Sequence, residues 1–169
     1  LRGAVREGRR LLKRKCGEQF EVDLVAIDYI QIMHGEHGGT RENEVSQISG
    51  ANRELAKQEN CAVLELSQLN RKVEERPDKR PIMADLRESG AIEQDSFGIF
   101  MLYREDYYRG SEAIPDGKAE ILVRKIRQYG STGTVHVMFD GKRTHFFELP
   151  SAASEFDSFG VDNGYSGGF

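Results

Sequence analysis

Cysteine is scarce in this chain, with two in 169 residues, and that excludes a small secreted fold stapled by disulfides. Cys16 and Cys61 read as structural thiols of a reducing, cytoplasmic compartment. No apolar run approaches the ~20 residues needed to span a membrane. The opening Leu1-Arg2-Gly3-Ala4-Val5-Arg6 has neither an initiator Met nor the apolar segment of a secretory leader. It reads as cut out of something longer. Positive charge is not in surplus either: Lys and Arg number 24 against 28 Asp and Glu, for a net charge of −4. That excludes binding to nucleic acid through bulk charge alone, but leaves room for local basic loops acting within a Debye length of about 10 Å. No Gly-x-x-x-x-Gly-Lys-Ser/Thr loop, which would cradle nucleotide phosphates, occurs anywhere. No Ser-His-Asp or Cys-His arrangement stands out.

What remains suffices for one domain, since 38% of the residues are hydrophobic and the length allows a buried core. Residues 1–15 read as a basic helix with a solvated face, closed by Gly17. Residues 22–28 form a nearly continuous apolar run, the pattern of a strand buried on both faces of a parallel sheet. A glycine-rich loop follows at 34–40. A helix is expected over 42–60, with Val45, Ile48, Ala51 and Leu55 on one face and Glu42 and Glu44 at the positive end of its dipole. Residues 61–66 read as a second buried strand, and 70–85 as a long polar loop holding Pro77 and Pro81. A helical turn over 89–95 and a third strand over 97–103 come next. From 119 to 149 strands lie close together, with Asp140-Gly141 as a hairpin signal. The tail 150–169, rich in Ser, Gly, Asp and Phe, reads as disordered. The whole implies an α/β domain over 1–149, with a mixed, mostly parallel sheet and antiparallel hairpins at its C-terminal end.

Four places carry chemistry. Asp28 ends the first buried strand, at the edge where ligands bind in open α/β sheets; it suits either a water-mediated Mg²⁺ site beside nucleotide phosphates or a cap on the next loop. Gln68 ends the second strand, and its amide, donor and acceptor at once, suits either a phosphate sensor or the start of a loop. In Asp85-Leu86-Arg87-Glu88-Ser89-Gly90 the Arg suits a phosphate and Gly90 the close approach of a backbone; a solvated turn is the plainer alternative. Lys125 and Arg127 lie two apart on a strand, on the face of Ile121 and Val123. They suit a pair of fingers stabilising charge on a transferring phosphoryl group, or a strand emerging into water. His34 and His37 flank Gly35-Glu36 without a further ligand nearby, so a solvated loop fits better than a metal site.

The order of these pieces is more telling than any one of them. Val25-Ala26-Ile27-Asp28-Tyr29-Ile30-Gln31, then Leu66-Ser67-Gln68-Leu69-Asn70-Arg71, then Asp85-Leu86-Arg87-Glu88-Ser89-Gly90-Ala91-Ile92-Glu93-Gln94-Asp95, closely resembles the DnaB family of replicative DNA helicases. Tyr103-Arg104-Glu105-Asp106 and the stretch from Lys125-Ile126-Arg127 to Gly133-Thr134-Val135 are similar to the family's later motifs. The resemblance implies part of a RecA-like P-loop NTPase core, using ATP and Mg²⁺ in a homo-hexameric ring that translocates 5′ to 3′ on single-stranded DNA in a bacterial or phage-infected cell. It implies that Asp28 is the Walker B acid, Gln68 the nucleotide sensor, Arg87, Glu88 and Gly90 the DNA grip, and Lys125 and Arg127 fingers reaching the neighbouring subunit's ATP. Primase and a helicase loader are the implied partners, through absent regions or the tail.

In the family the phosphate loop and the water-activating glutamate lie upstream of the position matching residue 1, so the chain alone is expected to be inactive. Glu65 interrupts a buried strand and needs a cationic or hydrogen-bonding partner, or a proton. Gln128-Tyr129 reads as one residue more than the family's link after the fingers. A non-catalytic ring module, supplying fingers to ATP sites held by another polypeptide, is the alternative reading. A RecA-like recombinase is a third, against which the Arg-Glu-Ser-Gly stretch argues.

Overall fold

Val45, Ile48, Asn52, Leu55 and Glu59 repeat at steps of three and four residues, and all five are buried along one stripe of a helix. This helix, α2 (Arg41–Glu59), is capped by the Thr40 side chain, which accepts from the Asn43 N–H, and closes on Asn60 in the left-handed conformation. The buried stripe runs through Asn52 rather than the expected Ala51, which is exposed. A polar amide therefore stands where the apolar pattern points to a methyl group.

The computed structural model describes residues 1–34, 40–86, 90–109, 116–128 and 130–149. The expected disordered tail at 150–169 lies outside them. Among the described residues the chain forms two compact units, one within residues 1–72 and 83–96 and the other within residues 73–82 and from 97 onward.

In the first unit, α1 (Arg2–Cys16) ends at Gly17, whose positive φ of 112° bears out its place as the terminator. Strand β1 (Leu24–Ile27) lies parallel to β2 (Ala62–Glu65), with Ile27 opposite Glu65. The two strands are not buried on both faces as their apolar runs imply. Val25 and Ile27 turn inward, whereas Leu24, Leu64 and Leu66 remain about half exposed. An apolar run shows that a strand is compatible with two covered faces; it cannot supply the second cover. The short helix α3 (Gly90–Asp95) brings Ile92 into a core with Ile30, Val45 and Ile48.

The second unit is an antiparallel sheet in the order β3 (Gly98–Tyr103), β4 (Lys118–Ile126), β5 (Gly133–Asp140), β6 (His145–Glu148). Its antiparallel part exceeds the expected hairpins because β3 joins it rather than the parallel pair. Asp140 shapes the expected turn by accepting from the Lys142 and Arg143 N–H groups. The fold is thus α/β, with parallel and antiparallel sheets.

Candidate functional site

Two parallel strands that finish side by side present their C-terminal ends together; here Asp28 directly follows β1, and Gln68, expected to end the second strand, lies three residues past the end of β2 at Glu65. The ladder continues past the strands: the Leu66 N–H donates to the Ile27 carbonyl and the Ile30 N–H to the Leu66 carbonyl, both at 2.9 Å. Beyond that point a side chain takes over. The Gln31 amide donates to Ser67 Oγ at 2.8 Å and to the Gln68 carbonyl at 3.4 Å, and accepts from the Gln68 N–H at 3.2 Å. Arg41, in the first turn of α2, donates to the carbonyls of Gln31 and Met33. Asp28 and Gln68 are both exposed at this edge. The sequence pattern does not single out Gln31, although it lies within the first motif. Only the pairing of the two strands shows what its amide meets.

The chain leaves Gln68 in a particular direction. Leu69 bridges Leu86 in antiparallel fashion, and the Asn70 N–H donates to the Asp85 carbonyl at 2.7 Å. The backbone just after the sensor candidate thus runs beside the backbone just before Arg87. Arg87 and Glu88 themselves lie outside the described residues, as does His37. Gly90 is described: a Cβ there would meet nothing within 4 Å, and its φ is not in the left-handed region. Backbone strain therefore does not require the glycine, and the space in front of it is open.

The strand β4, which carries Lys125 and ends just before Arg127, corrects one expectation. Phe100 pairs with Val123, yet the preceding Ile99 pairs with Lys125, so Arg124 is an extra residue and β4 bulges. One inserted residue reverses the alternation of a period-two strand. Lys125 therefore does not lie on the face of Ile121 and Val123, and Arg127 follows one residue past the end of the strand. The Arg127 N–H donates to the Phe97 carbonyl at 2.7 Å, and Gln128 follows with a positive φ of 65°. Tyr129, the other half of the expected insertion, lies outside the described residues.

The same strand is held by the segment 73–82. Arg80 lies 4.8 Å from the centre of the Tyr103 ring and forms two 2.7 Å bonds to the Glu120 carboxylate. The Arg124 guanidinium donates twice to the carbonyl of Pro81, a fully buried residue. The paired carboxylate raises the affinity of the Arg80 guanidinium for its proton.

Burial raises the proton affinity of Glu65 above its ordinary value; the neighbouring Asn52 amide opposes the shift and the negative charge of Asp95 adds to it. Among the described residues no group of three His, Cys, Asp or Glu side chains could hold a metal ion. One exposed carboxylate, Asp28, does fit a magnesium that keeps most of its waters. His34 is exposed. No helix among the described residues is long and apolar enough to cross a membrane.

With this geometry in place, a model of the DnaB-like helicase C-terminal domain matches residues 5–148. The chain is 41% identical to the replicative DNA helicase DnaB of Geobacillus stearothermophilus, over 83% of this chain and 30% of that protein. Two solved structures superpose with a TM-score of 0.75 at 38% identity over 88% of this chain. One is a DnaB-like replicative helicase studied for its interactions with primase, of which 36% is covered. The other is an isolated ATPase domain, of which 51% is covered. The chain spans about a third of the length of the curated relatives it matches.

Proposed function

The chain belongs to the DnaB-like helicase C-terminal domain family, and we propose that it works as the C-terminal part of a replicative DNA helicase motor. In this reading residues 1–149 serve an ATP-driven, six-membered ring that moves 5′ to 3′ on single-stranded DNA in the cytoplasm, with primase and a loader as partners. The carrying observation is the shared edge of β1 and β2, where Asp28 directly follows β1, Gln68 lies three residues past β2, and the chain runs on from Gln68 beside the approach to Arg87. The open apolar face of Leu24, Leu64 and Leu66 also supports a chain that works within a larger motor domain.

The roles follow from the chemistry available. Asp28 offers its carboxylate to waters of a magnesium ion, which when bound supplies positive charge to the phosphate oxygens of ATP. Gln68, held at the strand end by its backbone, presents an amide that can donate or accept as the phosphate end changes. Arg87 and Glu88, with the open surface at Gly90, grip a nucleic-acid backbone without reading bases, which gives the sequence-tolerant, salt-sensitive contact a translocating motor needs. Lys125 and Arg127 bring two cations to charge that develops on a phosphoryl group at the neighbouring subunit's site.

ATP hydrolysis tests this reading. Residues 1–169 alone are expected to show no robust ATPase activity. The complete polypeptide encoded by the reading frame is expected to hydrolyse ATP faster when single-stranded DNA is added, and Arg127→Ala to abolish that. Robust hydrolysis by residues 1–169 alone, or hydrolysis by the complete polypeptide that ignores DNA, would count against it.

A further inference from the structure

We infer that Gln31 is a positioning residue for nucleotide sensing: its side-chain amide is the link through which the Asp28 strand end sets the position of Gln68. This inference rests on the helicase reading above.

A parallel ladder alternates donors and acceptors from each backbone. Here the backbone ladder ends at the Ile30 N–H bond to the Leu66 carbonyl. The next groups on the β2 side, Ser67 and the Gln68 backbone, receive the Gln31 amide in place of a strand. A primary amide can do this because it carries a donor and an acceptor in the geometry of a peptide group. The Gln31 backbone is fixed in turn. Its neighbour Ile30 is fully buried against Val45 and Ile48, and Arg41 holds the Gln31 carbonyl. Gln31 is therefore a short, anchored arm, three residues from Asp28, closed on the backbone of Gln68.

What lies beyond Gln68 gives the arm its consequence. The Leu69–Leu86 bridge and the bond from Asn70 to Asp85 carry any displacement of Gln68 across to the residues before Arg87. Ile92, just past Gly90, sits on the same Val45–Ile48 surface as Ile30. The segment leading into the DNA grip and the turn after the Walker B acid are thus joined by the backbone ladder to Leu66, by Gln31 and by the core. The ladder and the core hold backbone and buried side chains in place. The Gln31 joint is made by a side chain alone, past the end of the ladder, so it is the one that can rearrange when a phosphate leaves.

The test uses the complete polypeptide, assembled as a ring, with steady-state ATPase measured with and without single-stranded oligonucleotide. Gln31→Leu keeps the bulk and removes the amide. It is expected to lower the DNA-stimulated kcat about tenfold while KM for ATP stays within about twofold. Gln31→Glu retains an acceptor for the Gln68 N–H and can accept from the Ser67 hydroxyl, so it is expected to fall between wild type and Gln31→Leu. Ser67→Ala, a milder change that removes one partner, is expected to lose about threefold in the same parameter. Together they keep the test informative should the Leu variant fail to assemble. Variants that lose thermal stability but keep the wild-type stimulation ratio would overturn the inference and leave the helicase reading intact. A wild-type enzyme that DNA does not stimulate would overturn both.

Discussion

Gly90 and Glu65 show how much a single position can carry. Nothing in the backbone conformation requires glycine at 90, and a methyl group there would meet open space. Gly90→Ala is therefore expected to fold with stability within about 1 kcal/mol of wild type, the scale of a Gly-to-Ala change in a helix. In the ring it is expected to weaken single-stranded DNA binding about tenfold, read by fluorescence anisotropy at fixed salt; unchanged affinity would remove Gly90 from the grip. Glu65 makes a pH-dependent case. Its folded-state proton affinity is raised above the ordinary value of 4.5, so the folded chain holds the proton where the unfolded chain has released it. Stability from this group is fully present below about 4.5 and is lost as pH rises through the folded value. Glu65→Gln stays neutral, so it is expected to melt above wild type at pH 7, with the gap shrinking toward the ordinary value of 4.5. A gap independent of pH would contradict this.

At the scale of elements, ion pairs fasten pieces that hydrophobic contact alone leaves loose. The side chain of Glu59, at the end of α2, is 4% exposed and receives Arg6 at 2.8 Å and Arg9 at 2.7 Å from α1, of which only Val5 is buried. These bonds, led by that from Arg6, hold the carboxyl below its ordinary range. The sign is opposite to that of Glu65: the stability is present above about 4.5 and is lost as pH falls through the depressed folded value. Glu59→Gln is thus expected to melt below wild type at pH 7 and to converge with it in acid. The segment 73–82 depends in the same way on Arg80. Arg80→Ala leaves the Glu120 carboxylate, 14% exposed, without its bidentate partner and is expected to cost about 1–2 kcal/mol in chemical denaturation. Elements were legible in the sequence where their signals are local: α1 ending at Gly17, α2 and the Asp140 turn all form where the pattern puts them. The Arg124 bulge was not, because a strand's alternation carries no mark of an extra residue until its partner is known. Nor was the Gln31 arm, which depends on β1 and β2 lying in parallel register.

For the whole molecule, the family and the α/β fold were readable from ordered motifs, and of the described residues among them Asp28, Gln68, Lys125 and Arg127 lie at or just past strand ends while Gly90 opens a short helix. The division of labour was less visible. In the proposed motor, Asp28 serves the ATP of its own subunit whereas Arg127 completes the site of the next. A mixing experiment with the complete polypeptide tests this directly. Asp28→Ala rings and Arg127→Ala rings are each expected to be inactive in DNA-stimulated ATP hydrolysis. When subunits of the two variants are co-assembled in equal amounts, random placement around a closed ring joins an intact Asp28 to an intact neighbouring Arg127 at about a quarter of the interfaces. Hydrolysis is therefore expected to reappear on mixing. If the mixture stays as inactive as its parents although mixed rings form, Arg127 acts within its own subunit and the proposed arrangement is wrong.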